Sequence, residues 1–413
     1  MNLLFRILAI CCLLAGAGPV LAQLAPIDTV GGRYYQPVFA SVTTTSGVAY
    51  ATATTYNGAA QTLMMDIYQP AGDTVKRRPL LIFAHQGGFL TGSKTDPYMV
   101  AICTRMARLG YVAASIDYRL GFPLTGFAQP ADTPGVAQAA LRGMQDMRAA
   151  VRFFRQDAAT SKTYRVHSSY IVVGGSSAGA FIALEVGYLD KASEAPAYAG
   201  LAALGGLEGT GGNAGYSSAV AAVLNLSGAT ESPSLIEAGN APLCSVHGTA
   251  DATVPYLQGR VGSLLPPKYV YGSGRLHPRA TAVGVRNTLR RFSRAGHIPF
   301  ESNAQYADTT FWTIRDFLRP VLRLAGTPLA ARPAPVASPG TLAYPVPAQD
   351  YVDLLLPANW RELGEARLLD LTGRVVRQFV PQARQTRVAR AGLAPGSYLV
   401  RLADQPAIRV VFN

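Results

Sequence analysis

The pattern of hydrophobic and polar residues from 43 to 324 alternates short apolar runs with longer amphipathic stretches. This alternation predicts an α/β domain, a mostly parallel sheet covered by helices. The predicted strands are 61–68, 79–84, 111–117, 170–174, 219–226, 242–246 and 288–292. The predicted helices, which carry apolar residues at three- and four-residue spacing, are 96–109, 136–155, 177–189 and 308–324. Several strands are almost entirely apolar, as expected of central strands that are buried on both faces.

A different pattern follows this domain. Residues 325–343 are rich in Pro, Ala and Gly without periodicity, which indicates an extended linker. Beyond it, short apolar runs between turn residues predict strands at 351–356, 366–371, 375–379, 397–402 and 407–412. Residues 344–413 are therefore expected to form a small all-β sandwich.

The first residues have the features of an export signal. Arg6 precedes an apolar run over residues 7–14, and small residues lead up to Ala22. A membrane anchor is the alternative, but the run is shorter than the ~20 residues that a spanning helix needs. Cys11 and Cys12 lie inside the run and not after it, which argues against a lipoprotein. We predict a signal peptide over 1–22 and place the α/β domain over 23–324, with no later membrane span.

Composition narrows the functional classes. Hydrophobic residues make up 49% of the 413 residues and charged residues 15%, as in a packed globular protein. The net charge of +13 comes mostly from scattered arginines, without the basic runs typical of nucleic-acid binding. No residue spacing indicates a metal or an organic cofactor. After removal of the signal, Cys103 and Cys244 allow one disulfide or two free thiols, and the pattern favours free thiols.

The strongest chemical motif is Gly-Ser-Ser-Ala-Gly over residues 175–179, between an apolar strand and a predicted helix. This is the pattern of a nucleophile elbow, in which Ser177 is exposed at a sharp strand-to-helix turn. Small flanking residues suit the tight turn, and the helix N-terminus stabilises developing negative charge. The strand before and the helix after raise this motif above chance.

A second motif, His-Gln-Gly-Gly-Phe, begins at His85 after the strand 79–84. It is similar to an HGGG oxyanion loop, with Gln86 in place of the usual first glycine. The backbone amides of Gly87, Gly88 and Ala178 are expected to form the oxyanion hole. The alternative is an ordinary glycine turn after a strand.

The acid and the base follow from chain order. Asp251 comes just after the strand 242–246, where a carboxylate can orient an imidazole. Hydrolases with such an elbow have the order serine, acid, histidine. Only His277 and His297 follow Asp251, and we choose His297 because it lies in a loop directly after a strand. His247 is expected to buttress the acid loop, and His167 to lie on the surface.

These motifs together resemble the α/β-hydrolase superfamily, and secreted carboxylesterases in particular, over residues 61–324. The resemblance implies an α/β-hydrolase fold and acyl transfer, in which Ser177 attacks an ester, His297 moves the proton and Asp251 holds His297. The segments 117–119 and 145–151 also match, and they are structural supports in such enzymes.

The end of the chain resembles the type A C-terminal sorting domain of the type IX secretion system. The matching segments are 344–348, 370–374 and 393–398, and Val346 replaces the usual Asn of the first. The resemblance implies the secretion machinery as a partner, passage across both membranes, and release or attachment at the cell surface. A carbohydrate-binding β-sandwich is the alternative.

The resulting hypothesis is a secreted carboxylesterase, with acetyl or feruloyl esters of polysaccharides as candidate substrates. Residues 122–135 and 191–218, rich in Gly, Pro and aromatic residues, are expected to shape the acyl pocket. A serine peptidase of the same fold and a non-catalytic surface binding protein on the same scaffold are the alternatives.

Overall fold

The computed structural model of the chain describes residues 27–123, 133–262, 268–322, 342–344, 348–356, 365–370, 374–402 and 407–412. The predicted signal peptide and residues 325–341 of the predicted linker lie outside these ranges. The chain divides into two compact units, 1–325 and 326–413. None of the helices within the described ranges is long and apolar enough to cross a bilayer.

The first unit is built on an eight-stranded sheet of order β1-β2-β4-β3-β5-β6-β8-β11. The strands of this unit are β1 (Val42–Thr54), β2 (Ala60–Pro70), β3 (Arg78–Ala84), β4 (Val112–Ile116), β5 (Val166–Ser176), β6 (Ala222–Leu226), β7 (Ala229–Thr230), β8 (Leu243–Gly248), β9 (Gln258–Arg260), β10 (Tyr269–Gly272) and β11 (Asn287–Phe292). From β4 to β11 all neighbours are parallel, while β1 and β2 are antiparallel to theirs. The predicted mostly parallel sheet is confirmed.

Helices cover both faces of this sheet. They are α1 (Pro97–Arg108), α2 (Thr133–Ala159), α3 (Ala178–Tyr188), α4 (Ser273–Ala282), α5 (Pro299–Ser302) and α6 (Ala304–Val321). Every residue of β3 is buried, and its side chains alternate between two cores. Leu80 and Ile82 pack with α2 and α3, whereas Leu81 and Phe83 pack with α1 and α6. Cys103 and Cys244 lie in the second core as free thiols.

The glycine-rich segment between α3 and β6 is held by donors on one face of α2. Arg148 donates to the carbonyls of Leu189 and Leu207, and Arg152 to those of Gly211 and Gly212. The Gln145 amide and the Arg155 guanidinium extend the same pattern at either end. Because this segment has little regular secondary structure, many of its carbonyl groups lack backbone partners, and these side chains supply hydrogen bonds to them.

The second unit is all β. Its strands are β12 (Leu342–Tyr344), β13 (Tyr351–Leu355), β14 (Ala366–Leu369), β15 (Val375–Phe379), β16 (Gln385–Ala389), β17 (Gly396–Leu402) and β18 (Ile408–Phe412). They form two antiparallel sheets, β12-β13-β16 and β15-β14-β17-β18. Val352 and Leu354 of one sheet share a core with Leu368, Val400 and Val410 of the other. The predicted β-sandwich is confirmed.

Candidate active site

Ser177 lies at the turn between β5 and α3, where the sheet ends and the helix begins. Its backbone has φ 52° and ψ −116°, a left-handed conformation that costs a non-glycine residue about 1–3 kcal/mol. The Ser177 amide donates to the carbonyl of Leu226 at 2.9 Å, which ties the turn to the neighbouring strand. Such a strained, well-anchored turn is the geometry of a nucleophile elbow.

The two glycines of the motif are required by close backbone packing. A Cβ on Gly179 would lie 2.1 Å from the carbonyl oxygen of Ala84, and one on Gly175 would lie 2.3 Å from the backbone of Gly179. These distances are far below van der Waals contact, and the obstructing atoms are backbone. The elbow therefore sits directly against the end of β3.

The structure brings Ser177, His297 and Asp251 together in one line. The Nε2 atom of His297 lies 2.8 Å from the Ser177 hydroxyl oxygen. Its Nδ1 atom lies 2.7 Å from Oδ2 of Asp251. Because the carboxylate can only accept, Nδ1 carries the proton and Nε2 is free to accept the serine hydroxyl proton.

Asp251 is buried and surrounded by donors. The amides of Thr253 and Val254 donate to its Oδ1 at 2.9 and 2.8 Å. Burial by itself would raise its pKa, but hydrogen bonds from His247, His297 and Val254 outweigh it and hold the pKa well below the ordinary value. Asp251 is thus a carboxylate over the whole neutral range.

His247 lies against this carboxylate, at 3.2 Å between its Nε2 and Oδ2 of Asp251. The same Nε2 lies 3.0 Å from the carbonyl oxygen of Val254, so it is the protonated nitrogen. Its Nδ1 lies 2.8 Å from the hydroxyl of Ser273, which also accepts from Asn225 at 3.1 Å. A buried polar chain thus runs behind the acid, and neither Ser273 nor Asn225 stands in a motif that marks this role.

The loop after β3 presents the glycines of the second motif. Gly87 has φ 119°, and a Cβ there would lie 2.0 Å from the carbonyl oxygen of Thr91, so only glycine fits. Gly88 also has a positive φ, of 62°. Ala178 is the first residue of α3, where a backbone amide has no intrahelical acceptor. All three residues line one cavity together with Ser177 and His297.

This cavity has a volume of about 370 Å³. Its lining is mainly apolar and includes Phe89, Leu141, Phe181 and Val254. The polar side chains of Glu185 and Lys268 also line it. The cavity can therefore bind a mainly apolar group that also has a hydrogen-bonding atom.

The walls differ in part from the predicted pocket segments. Of residues 191–218, only Glu194 and Pro196 are among the lining residues. Much of the rest is bound along α2 by the arginines described above. Residues 124–132 of the other predicted segment lie outside the described ranges.

His167 and His277 are not among the residues that line this cavity. His167 is only 6% exposed and its ring packs at a tilt against that of Tyr170, with 4.7 Å between the ring centroids, so the prediction that it lies on the surface is wrong. The short apolar run that follows it belongs to the same strand, β5, which begins earlier than expected. His277 lies inside α4 and is absent from the cavity lining. Within the described ranges, no group of three or more His, Cys, Asp or Glu residues is arranged to hold a metal ion.

Comparison with family models gives two matches. A model described as BD-FAE matches residues 65–236. A model described as a secretion system C-terminal sorting domain matches residues 342–410. No curated protein matches the chain in sequence.

Among solved structures, several forms of esterase 2 from Thermogutta terrifontis match the chain. The form phosphorylated by paraoxon has a TM-score of 0.49 and 22% identity, over 68% of this chain and 95% of that chain. The apo form has a TM-score of 0.48 and 22% identity, over 65% of this chain and 92% of that chain. The butyrate-bound form has a TM-score of 0.47 and 21% identity, over the same shares.

Proposed function

We propose that this chain, an esterase of the α/β-hydrolase type with a type IX secretion sorting domain, cleaves its ester through a triad of Ser177, His297 and Asp251. The observation that carries the proposal is the line of hydrogen bonds from the serine hydroxyl through the imidazole to the carboxylate, at 2.8 and 2.7 Å. This line opens into a cavity large enough for an acyl group.

The chemistry proceeds in two halves. Ser177 Oγ attacks the ester carbonyl carbon while His297 Nε2 takes the hydroxyl proton, and Asp251 stabilises the imidazolium that forms. The negative charge on the carbonyl oxygen is met by the amides of Gly87, Gly88 and Ala178. Collapse of the tetrahedral intermediate breaks the bond to the alcohol, which receives the proton from His297. Water then repeats the sequence on the acyl-enzyme and releases the acid.

A fluorophosphonate probe tests the triad. We expect the purified protein to be labelled on Ser177, Ser177→Ala to remain unlabelled, and p-nitrophenyl esters to be hydrolysed by the parent only. His297→Ala is expected to abolish turnover, whereas His277→Ala is expected to retain it. Labelling of Ser177→Ala, or loss of activity in His277→Ala alone, would contradict the assignment. Cleavage of peptides without hydrolysis of esters would favour a serine peptidase of the same fold. A parent protein that is not labelled at all would favour a non-catalytic binding protein.

The cavity favours an acyl group much larger than acetyl. Its volume lies within the ~300–1,000 Å³ of sites that bind drug-sized ligands. Glu185 follows Ser177 by eight positions on α3, which corresponds to about 12 Å along the helix. A feruloyl group, with an aromatic ring and a terminal phenol, spans most of this distance and matches a mainly apolar lining that includes the polar side chains of Glu185 and Lys268. We therefore place feruloyl esters of polysaccharides above acetyl esters as substrates.

A comparison of matched esters tests this preference. We expect kcat/KM for methyl ferulate to exceed that for methyl acetate by at least about tenfold, because each buried methylene or ring carbon adds transition-state binding. Feruloylated arabinoxylan is expected to release ferulate. Equal rates on the two methyl esters would contradict the preference without affecting the triad.

The protein is exported to the cell surface or the medium, since it carries the sorting domain. We propose that this domain is removed at the outer membrane and that the esterase acts on substrates outside the cell. Mass spectrometry of the secreted form is expected to show a C-terminus near the start of the second unit. Recovery of the full-length chain from the medium would contradict removal.

A further inference from the structure

The side chain of Gln86 occupies a position where HGGG-type loops carry a glycine. Its Nε2 donates to Oδ2 of Asp96 at 2.9 Å and to Oε2 of Glu301 at 3.0 Å. The amide thus lies between two carboxylates that come from different parts of the chain. Its immediate neighbour in sequence is Gly87, the first residue of the expected oxyanion hole.

Glu301 connects this loop to the rest of the site. Its other oxygen, Oε1, accepts a hydrogen bond from the hydroxyl of Ser176, the residue directly before Ser177. Ser176 is completely buried. Glu301 also belongs to α5, four positions after His297. One carboxylate therefore contacts the elbow and the oxyanion loop, and it lies on the segment that carries the base.

Asp96 provides the second anchor. Its Oδ1 caps α1 by accepting from the amides of Tyr98 and Met99 at 3.0 and 3.4 Å. A capping carboxylate is fixed by the helix that it ends. Gln86 is consequently tied to a rigid helix on one side and to the catalytic loops on the other.

The orientation of the Gln86 amide follows from its partners. Both carboxylates accept only, so the NH₂ group must face them. The amide oxygen, Oε1, is then buried without a hydrogen-bond partner among the described residues. A buried polar atom left unpaired is costly, and its retention here is consistent with a functional reason for the two contacts of the nitrogen.

The pKa of Glu301 is set by opposing effects. Burial raises the pKa of this carboxyl, and the nearby charge of Asp96 raises it further, while the hydrogen bonds from Ser176 and Gln86 lower it. The opposing effects leave the pKa above the ordinary value. Both hydrogen-bonded contacts remain available when an amide stands at position 301, because the Ser176 hydroxyl can rotate from donor to acceptor.

We propose that Gln86 and Glu301 form a brace that positions the amides of Gly87 and Gly88 against the carbonyl oxygen in the transition state. The inference rests on the proposed esterase function. Both are positioning residues: the Gln86 amide nitrogen, although Gln86 lines the cavity, is directed to the two carboxylates, and Glu301 is not part of the cavity lining. Loss of one oxyanion donor costs about 10²- to 10³-fold in rate, and a displacement of about 1 Å can cost ~10²-fold. Removal of the brace is therefore expected to lower kcat with little change in KM.

The test compares four variants of the full-length protein on p-nitrophenyl acetate. We expect Gln86→Ala and Glu301→Ala each to lower kcat by about 10- to 100-fold, with KM within about threefold of the parent. Gln86→Gly, which restores the usual motif residue, is expected to lose as much as Gln86→Ala because the side chain is the anchor. Glu301→Gln is expected to stay within about fivefold of the parent. Asp308→Asn, which removes an exposed carboxylate that pairs with Arg105, is the control and is expected to be unchanged.

A double-mutant cycle identifies the brace as a unit. If the two side chains act through one contact, the Gln86→Ala/Glu301→Ala double variant loses no more than the worse single variant. Kinetic constants are expressed per active site titrated with a fluorophosphonate, so a partly unfolded preparation does not mimic a loss of kcat. Multiplied losses in the double variant would overturn the proposal. A Glu301→Gln variant as impaired as Glu301→Ala would overturn it too, since charge and not position would then matter.

The outcomes also separate this inference from the proposed function. If the parent protein neither reacts with the fluorophosphonate nor hydrolyses the ester, the esterase mechanism itself fails. If the parent is active and Gln86→Ala equals it in kcat, only the brace fails. Gln86→Met, which keeps the side-chain volume but has no donor, is the second variant if Gln86→Ala does not fold. Its kcat is expected to fall equally.

Discussion

At the scale of single residues, the hydrogen-bond donors around Asp251 fix the position of its carboxylate. The amides of Thr253 and Val254 fix one oxygen, and His297 and His247 approach the other. In the proposed mechanism, Asp251 therefore fixes both the orientation and the tautomer of the His297 imidazole.

Asp251→Asn is expected to fold like the parent but to change the tautomer of His297. An amide NH₂ facing Nδ1 would leave the proton on Nε2, where it cannot accept from Ser177. We expect kcat on p-nitrophenyl acetate to fall by about 10³- to 10⁴-fold with a KM close to that of the parent. Asp316→Asn on the surface of α6 serves as the control. A loss of less than tenfold in Asp251→Asn would mean that another group orients His297.

The buried carboxyl of Glu185 makes the stability of the folded protein depend on pH. Burial raises its pKa to about 8, with the charge of Glu231 adding to the effect and those of Lys268 and Arg148 opposing it. In the unfolded chain the carboxyl ionises near its ordinary pKa of 4.5. Between these values the folded state holds more protons than the unfolded one, so the stability contributed by neutral Glu185 falls as the pH rises from 4.5 towards 8.

Glu185→Gln is therefore expected to stabilise the protein in a pH-dependent manner. The glutamine stays neutral, so the variant should gain about 5 °C in Tm over the parent at pH 8.5 and far less at pH 4.5. Differential scanning calorimetry at both pH values measures the difference. An equal shift at the two values would show that the carboxyl ionises without a penalty in the folded protein.

At the scale of elements, the elbow depends on the contact between α3 and the end of β3. The Cβ of an alanine at Gly179 would overlap the carbonyl oxygen of Ala84. Because that atom is backbone in a fully buried strand, relief would require the helix to move. Movement of α3 would displace Ser177 and Ala178, which begin it.

Gly179→Ala is expected to lose most activity and several degrees in Tm, as overpacking against backbone costs about 1–3 kcal/mol. Gly211→Ala is the matched control, since its Cβ would meet neighbours only at ordinary contact distances, 3.5 Å and beyond. Activity assays and thermal unfolding of both variants provide the comparison. If the two variants behave alike, the close packing of the elbow is not what fixes Ser177.

Much of the architecture could be predicted because the buried elements have strong patterns. The all-apolar β3 and the amphipathic α2 were predicted with their ends shifted by only a few residues. β1 was missed, because most of its residues are exposed at the edge of the sheet and it has no run of buried apolar residues. β16 was missed for the same reason, with Val388 its one buried residue.

The predicted site residues were those with local motifs. Ser177, Asp251 and His297 each follow a strand and stand beside glycines or prolines that mark a turn. Glu301 and Ser273 have no such mark, since their contacts with Ser176 and His247 arise only when distant segments meet in the folded chain. Gln86 was noticed as a departure from the motif, but its two carboxylate partners could not be found without coordinates.

At the scale of the whole molecule, the chain consists of an esterase unit and a sorting unit, each with its own core. Units with separate cores can in general fold separately. The residues of the proposed triad all lie in the first unit, and the match to the sorting domain lies in the second.

Truncation after residue 325 is thus expected to separate activity from export. The shortened protein should keep kcat/KM within about twofold of the full chain. In a host with a type IX secretion system, its activity should remain with the cells, whereas the full chain should appear at the surface or in the medium. Assays of cell and medium fractions measure this. Export of the truncated protein would show that the signal for secretion lies in the first unit.

The arginines of α2 that hold the segment between α3 and β6 have an evolutionary consequence. Their guanidinium groups bind carbonyl oxygens of residues such as Leu207, Gly211 and Gly212, and every amino acid has such an oxygen. Mutations at exposed positions of this segment leave these backbone hydrogen bonds in place, except at Glu208, whose carboxylate pairs with both arginines. A change of Arg148 or Arg152 to lysine removes a forked donor. Descendants of this protein are consequently free to diversify the exposed positions of the segment as long as α2 keeps its guanidinium groups and the segment keeps Glu208.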